Sequence, residues 1–165
     1  MMSLKEPTNR YLQELYLMAC SIFTTTYHNV KRNKETNFVP NKSINVNDYV
    51  EGYTIRPAFK KVLDVFEVKI SKERQRKIIL DNGITLVCSD NHALICKEDG
   101  RLFDVFPDEL LSTHKVVTSK GLANVEHVYM MTKESTSNRF LDIIVEDSYY
   151  FCGSNPEQGL VLCYN

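Results

Sequence analysis

"RKIILDNGITLVCSDNHALICKEDG", residues 76–100, decides how the rest of the chain is read. Two β-branched, apolar runs, 78–80 and 84–88, flank the pair Asn82-Gly83. Asn-Gly readily takes positive φ at both positions of a tight turn, so the segment predicts strand, turn, strand. Four polar residues, Ser89, Asp90, Asn91 and His92, then separate the second run from a further apolar run over 93–96. A hydroxyl therefore stands three residues before a histidine, with a strand straight after it. Taken alone, such a histidine is more often a surface or satisfied structural residue than a catalyst. An imidazole also has the near-neutral pKa that acid–base chemistry needs.

Working outward, the same texture continues. "SINVNDYV" (43–50) alternates, and "FKKVLDVFEVKI" (59–70) is β-branched and apolar. "RLFDVF" (101–106), "HKVVTSKG" (114–121), "NVEHVYMMTK" (124–133), "RFLDIIVEDSYYFCG" (139–153) and "GLVLCYN" (159–165) read as further strands. "PDELLS" (107–112) reads as one helical turn opening at proline. Many short strands at close spacing make an all-β domain. Upstream, "PTNRYLQELYLMACSIF" (7–23) has apolar residues at three- and four-residue steps and predicts an amphipathic helix, breaking near Ser21. "TTTYHNVKRNKETNFVPNK" (24–42) predicts a short Thr-rich strand and then a loop. The expected organisation is an N-terminal helix and polar loop over 1–42 and a β domain over 43–165.

Composition narrows the function. The chain has 165 residues, 43% apolar and 25% charged, enough for one domain with a real core. Twenty basic against 21 acidic residues, net charge −1, give no electrostatic footprint for nucleic acid or an acidic membrane surface. No apolar stretch is long enough to cross a bilayer, and "MMSLKEPTNRYLQEL" lacks the build of a secretory signal, so the cytoplasm is the expected location. Five cysteines (Cys20, Cys88, Cys96, Cys152, Cys163) are an odd number without a CxxC pair, which argues against a disulfide framework and a structural zinc site. No cofactor or metal is expected.

Two further residues carry possible chemistry. The sequence ends at Asn165, straight after an apolar strand, where a fraying tail is the ordinary expectation. An asparagine side-chain nitrogen can attack its own backbone carbonyl and cut the chain by forming a succinimide, given held geometry and proton donors. Asp142 stands inside an otherwise apolar strand; it either faces outward or has a function, because a buried carboxylate without a partner is costly. On its own the outward reading is the simpler one.

Together these stretches resemble the inteins, the protein-splicing domains of the Hint fold. "GITLVCSDNHALI" is similar to the intein motif Thr-x-x-His, with Ser89 in the threonine's place and His92 as the histidine. "RLFDVFPDELLSTHKVV" resembles the aromatic strand and Glu-Leu turn that follow it. "RFLDIIVEDSYYFCG" resembles the late motif, and "GLVLCYN" the terminal one with its final Asn. "SINVNDYVEGYTI" is similar to the family's Ile-to-Gly stretch before its long strands. The resemblance covers residues 43–165 and implies a horseshoe of short strands, here with a helical appendage. It also implies autocatalytic splicing or cleavage between flanking (extein) segments. In that scheme a first-position Cys or Ser takes the upstream acyl group as a thioester or ester. His92 serves the leaving amide, Ser89 helps hold the scissile peptide, Asp142 couples the steps, and Asn165 cyclises.

The departures are specific. Tyr149 and Tyr164 stand where the family has histidines that assist asparagine cyclisation, so that step should be slow or use other donors. His114 and His127 are read as surface residues, Cys152 and Cys163 as small core residues. The chain also opens with Met and a helix instead of a nucleophile and a Thr-containing strand. Either Cys20 of "CSIFTTTY" is the first intein residue, with 1–19 a host remnant, or the chain is the larger part of a split intein whose short N-terminal fragment supplies the nucleophile. With no residue after Asn165, the chain by itself is not expected to complete splicing, and the interval from His92 to Asp142 leaves no room for an inserted endonuclease. The reading from a different class is a non-catalytic β-rich binding module.

Overall fold

The structure, a computed structural model, describes residues 22–23, 26–131 and 139–164. Strand β1 (Ile22–Phe23) is followed by β2 (Tyr27–Arg32) and β3 (Glu35–Pro40). Then come β4 (Tyr49–Tyr53), the long β5 (Pro57–Lys69), β6 (Gln75–Leu80) and β7 (Thr85–Ser89). β8 (Ala93–Glu98), β9 (Arg101–Val105), β10 (Lys115–Thr118) and β11 (Gly121–Met130) follow. β12 (Arg139–Val145), β13 (Tyr149–Cys152) and β14 (Val161–Tyr164) complete the order. The expected all-β class is what the chain adopts. Among the described residues the helical turns are 3-10 pieces such as Pro107–Glu109, which opens at proline as the sequence indicates.

The strands form one antiparallel sheet in the order β13-β14-β8-β10-β11-β6-β7-β1-β12-β5-β4-β2-β3, with β9 on β8. One further pair, Tyr150 of β13 opposite Gly52 of β4, joins two distant parts of that path. Among the described residues no helix is long and apolar enough to cross a membrane.

Three local expectations need correction. The hairpin at Asn82-Gly83 forms, but only Gly83 has positive φ, at 87°. Gly83 N–H donates to Leu80 C=O at 3.0 Å, and Leu80 N–H to Ile84 C=O at 2.9 Å. The loop is therefore longer than two residues, and only its glycine enters the left-handed region.

The second correction concerns 24–42. Instead of one strand and a loop, β2 and β3 form a hairpin about Asn33 and Lys34, both at positive φ (50° and 68°). β3 is an edge strand with mostly exposed residues, so it never needs the apolar alternation that marks a strand in sequence. A bidentate pair from Arg32 to Asp48 (2.9 and 2.7 Å) ties the hairpin to the loop before β4. The predicted helix over 7–23 lies outside the described residues, apart from Ile22 and Phe23, which form a strand.

Third, the run 139–153 is two strands. It breaks at Glu146–Ser148, where Asp147 and Ser148 take φ of 62° and 66°, so β12 and β13 pair in different parts of the sheet. β12 is covered on both faces. Leu141 and Ile143 join the main core with Ile22, Val30, Cys88 and Tyr150, while Phe140 packs with Val68 and Ile70. In β8, Cys96 is fully buried, and burial pushes its thiol up to about 12.

Gly52 sits where β4 meets β13, and a Cβ there would run into the carbonyl oxygen of Tyr149. Backbone cannot give way as a flexible side chain can. Gly52→Ala is expected to destabilise the fold by about 1–3 kcal/mol. Urea denaturation measures this, and an unchanged midpoint would show that the contact yields freely.

Candidate functional site

The turn between β7 and β8 carries Ser89 and His92. His92 N–H donates to Ser89 C=O at 3.1 Å, closing the turn, and Asp90 N–H donates to Arg74 C=O at 2.8 Å. Both Ser89 and His92 are fully buried. The Ser89 hydroxyl donates to Asn91 Oδ1 at 2.6 Å. A hydroxyl and an imidazole three residues apart are thus held on one buried turn.

His92 looks into a cluster that local sequence did not reveal. Its ring lies 6.1 Å from that of Tyr150, whose other neighbour is His28 at 5.7 Å. Ligand atoms of His92, Cys152 and Cys163 all lie within 4.8 Å of one another, with the two sulfurs 3.6 Å apart. His28 Nε2 is 2.8 Å from Asn41 Oδ1, and Asn41 Nδ2 donates to Ile22 C=O at 3.4 Å. Asn41 therefore links a buried histidine to β1. Neither ring nitrogen of His92 has a hydrogen-bond partner among the described residues. Leaving a buried polar atom without any partner costs about 1–3 kcal/mol.

Burial dominates the electrostatics. It drives His92 down to about 3, helped by the charge that His28 would carry. Burial likewise drives His28 down to about 4, with the Asn41 hydrogen bond partly opposing it. Both rings are neutral at pH 7, each holding one N–H and one lone pair.

Asp142 does not face outward. It is 3% exposed on β12, opposite Phe66 and on the Phe140 face of a strand covered from both sides, which corrects the simpler expectation. β1 lies between β7 and β12, with Ile22 paired to Cys88 on one side and to Leu141 on the other. Ser89 and Asp142 are the residues that follow those two partners. They stand level across β1, two strands apart. Cys20 and Asn165 lie outside the described residues. The described chain reaches Tyr164, which pairs with Ala93, the residue after His92.

Tyr149 and Tyr164 are cross-strand partners, with ring centroids 5.3 Å apart and edge-on at 64°. His114 accepts from Leu111 N–H at 2.9 Å and borders a surface cleft of about 550 Å³ with Lys97, Phe103 and Lys115, away from His92. His127 is exposed and stacks on Tyr129 at 5.3 Å. His28 is the residue that sequence reading overlooked. Its signal was weak but present: in "YHNVKR" buried His28 and Val30 alternate with half-buried Tyr27 and Asn29 before exposed Lys31 and Arg32, a period-two pattern.

The lowered histidines make stability depend on pH. Below the ordinary value of 6.5 the unfolded chain takes up protons that the folded chain refuses. Stability is therefore full above about 6.5 and falls as pH drops toward about 4, by up to roughly 1.4 kcal/mol per pH unit for each ring. Urea midpoints at about pH 7.5 and about pH 5 test this, and His28→Gln should make the slope shallower. Equal midpoints would contradict it.

No protein-family model and no curated protein sequence matches the chain. Solved structures do. An intein from a hyperthermophile superposes with TM-score 0.73 at 10% identity, covering 88% of this chain and 99% of that one. A DnaB intein from Synechocystis sp. PCC 6803 gives 0.68 at 13% identity, covering 89% and 99%. The bacterial intein-like domain from Clostridium thermocellum gives 0.64 at 19% identity, covering 88% and 98%. At such identities the likeness concerns the backbone path alone, and on that path the chain has the intein, or Hint, fold.

Proposed function

We propose that the chain is an autocatalytic protein-splicing or cleavage domain, in which Asn165 cyclises to release a C-terminal flank and His92 assists an N-terminal acyl shift. The observation that carries this reading is the register of β14 on β8. Tyr164 pairs with Ala93, Asn165 is bonded to Tyr164, and His92 is bonded to Ala93. With about 3.8 Å between consecutive Cα atoms and about 5 Å across a paired position, this register supports a Cα separation of no more than about 13 Å between the carboxamide-bearing and imidazole-bearing residues.

The other end supports the same reading. β1 begins two residues after Cys20, and its partners Cys88 and Leu141 immediately precede Ser89 and Asp142. A scissile peptide delivered along β1 would pass between a hydroxyl and a carboxylate. A neutral His92 can donate its N–H to a departing amide nitrogen and accept a proton on its other nitrogen. In the Cys20 reading the thiol attacks the preceding carbonyl: an S–C bond forms, the C–N bond breaks, and the freed amine takes a proton. In the split reading a separate fragment brings that nucleophile. Flanking extein segments are the partners in either case, and the cytoplasm is the expected setting.

Tyr164 directly precedes the residue proposed to cyclise, and Tyr149 is its cross-strand partner. A phenol is a far weaker acid than an imidazolium, so Asn165 cleavage is expected to be slow.

The test is a chain extended by a few residues beyond Asn165, followed by mass spectrometry over days, with and without an N-terminal partner peptide. Release of the extension, abolished by Asn165→Ala, supports the proposal; a chain that stays intact throughout favours a non-catalytic binding module. Added thiol should cause loss of residues 1–19 if Cys20 is the acyl acceptor, and Cys20→Ala should prevent it. His92→Ala should slow that N-terminal step by roughly 10²–10⁴-fold.

A further inference from the structure

The cluster of His92, Cys152 and Cys163 has a geometry that the splicing chemistry does not account for. Its origin is the register of three strands. Cys163 lies opposite Tyr150, so Cys152, two residues further on, is its diagonal neighbour on the β13–β14 ladder. Cys163 also lies opposite Leu94, two residues beyond His92, so the imidazole approaches from the other side. All three side chains are fully buried.

We propose that His92, Cys152 and Cys163 form a three-ligand site for a thiophilic divalent cation, with zinc the best fit and a fourth position for water or one more ligand. Two thiolates held at about 2.3 Å from a tetrahedral zinc stand about 3.8 Å apart. The sulfurs are 3.6 Å apart before any metal enters. The histidine has both nitrogens without a hydrogen-bond partner among the described residues, so one lone pair is available at no cost in existing contacts. Thiolate and imidazole donors favour zinc over magnesium or calcium.

Charge balance also fits a buried place. The cation displaces one proton from each thiol, and the resulting two thiolates cancel its charge, leaving a neutral complex. A ring that holds a cation on one nitrogen cannot accept a proton there, so an occupied site and proton transfer at His92 exclude one another. The sequence offered no hint of this site, because its ligands are far apart in the chain and none belongs to a CxxC pair.

The test uses the unaltered, reduced chain, titrated with cobalt(II) both when folded and during refolding. One equivalent should produce the ligand-field bands of a tetrahedral site together with thiolate-to-cobalt charge transfer, and zinc should bleach both. Native mass spectrometry should show one zinc gained and two protons lost, and NMR should show one buried histidine ring shifted. Cys152→Ala with Cys163→Ala should abolish the charge-transfer band, Cys96→Ala should leave it, and His92→Gln, which removes a direct ligand, should weaken binding by more than the roughly 10-fold to 100-fold that losing an outer-shell partner costs. Absence of the band and of the mass change in the unaltered chain overturns the proposal, as does a band that survives replacement of both thiols. None of these readouts depends on self-processing, so the site and the proposed function can fail separately.

Discussion

The ladder between β14 and β8 is the constraint on which the rest depends. β14 is inserted between β13 and β8, and its residues are buried alternately on two sides: Cys163 in the main core, Leu162 with Ile95 and Phe151. A slip of one residue would exchange a thiol for an isobutyl group on both faces at once. Packing on two sides therefore fixes which residue of β14 meets Ala93. The position of Tyr164 relative to His92 thus rests on apolar packing that selects one register of the backbone ladder.

Around that ladder the interior is more polar than a domain built for stability alone. His28, Asn41, Gln75, Ser89, His92 and Asp142 are all buried, in a core otherwise made of aliphatic residues. Some are well served: Gln75 donates to Ile70 C=O at 2.9 Å, and His28 has Asn41. Neither ring nitrogen of His92 has such a partner among the described residues. Buried polar atoms without partners concentrate where chemistry needs them unencumbered, and this one lies where three strands of different origin meet.

Much of this was legible in the sequence, for identifiable reasons. Apolar runs bounded by turn residues exposed β6, β7, β8 and β12, because the buried stretches of these strands are mostly apolar. The pair Ser89 and His92 stood out because polar residues interrupted those runs. What escaped reading were features set by long-range pairing. β3 is an edge strand and leaves no alternation. Asp142 is buried because a second cluster covers the Phe140 face, which no local window contains. His28, Cys152 and Cys163 meet His92 only through register, and register is a property of the whole sheet. The break at Asp147 and Ser148 was hidden because neither residue advertises positive φ as glycine does.

Cys96 has a use that follows from its placement. With its pKa raised to about 12, its thiolate fraction near pH 7 is on the order of 10⁻⁵, and the sulfur is sealed within β8. Alkylating reagents can reach it only in molecules whose central strands have opened. The rate of its modification therefore reports openings of β8, without any added label.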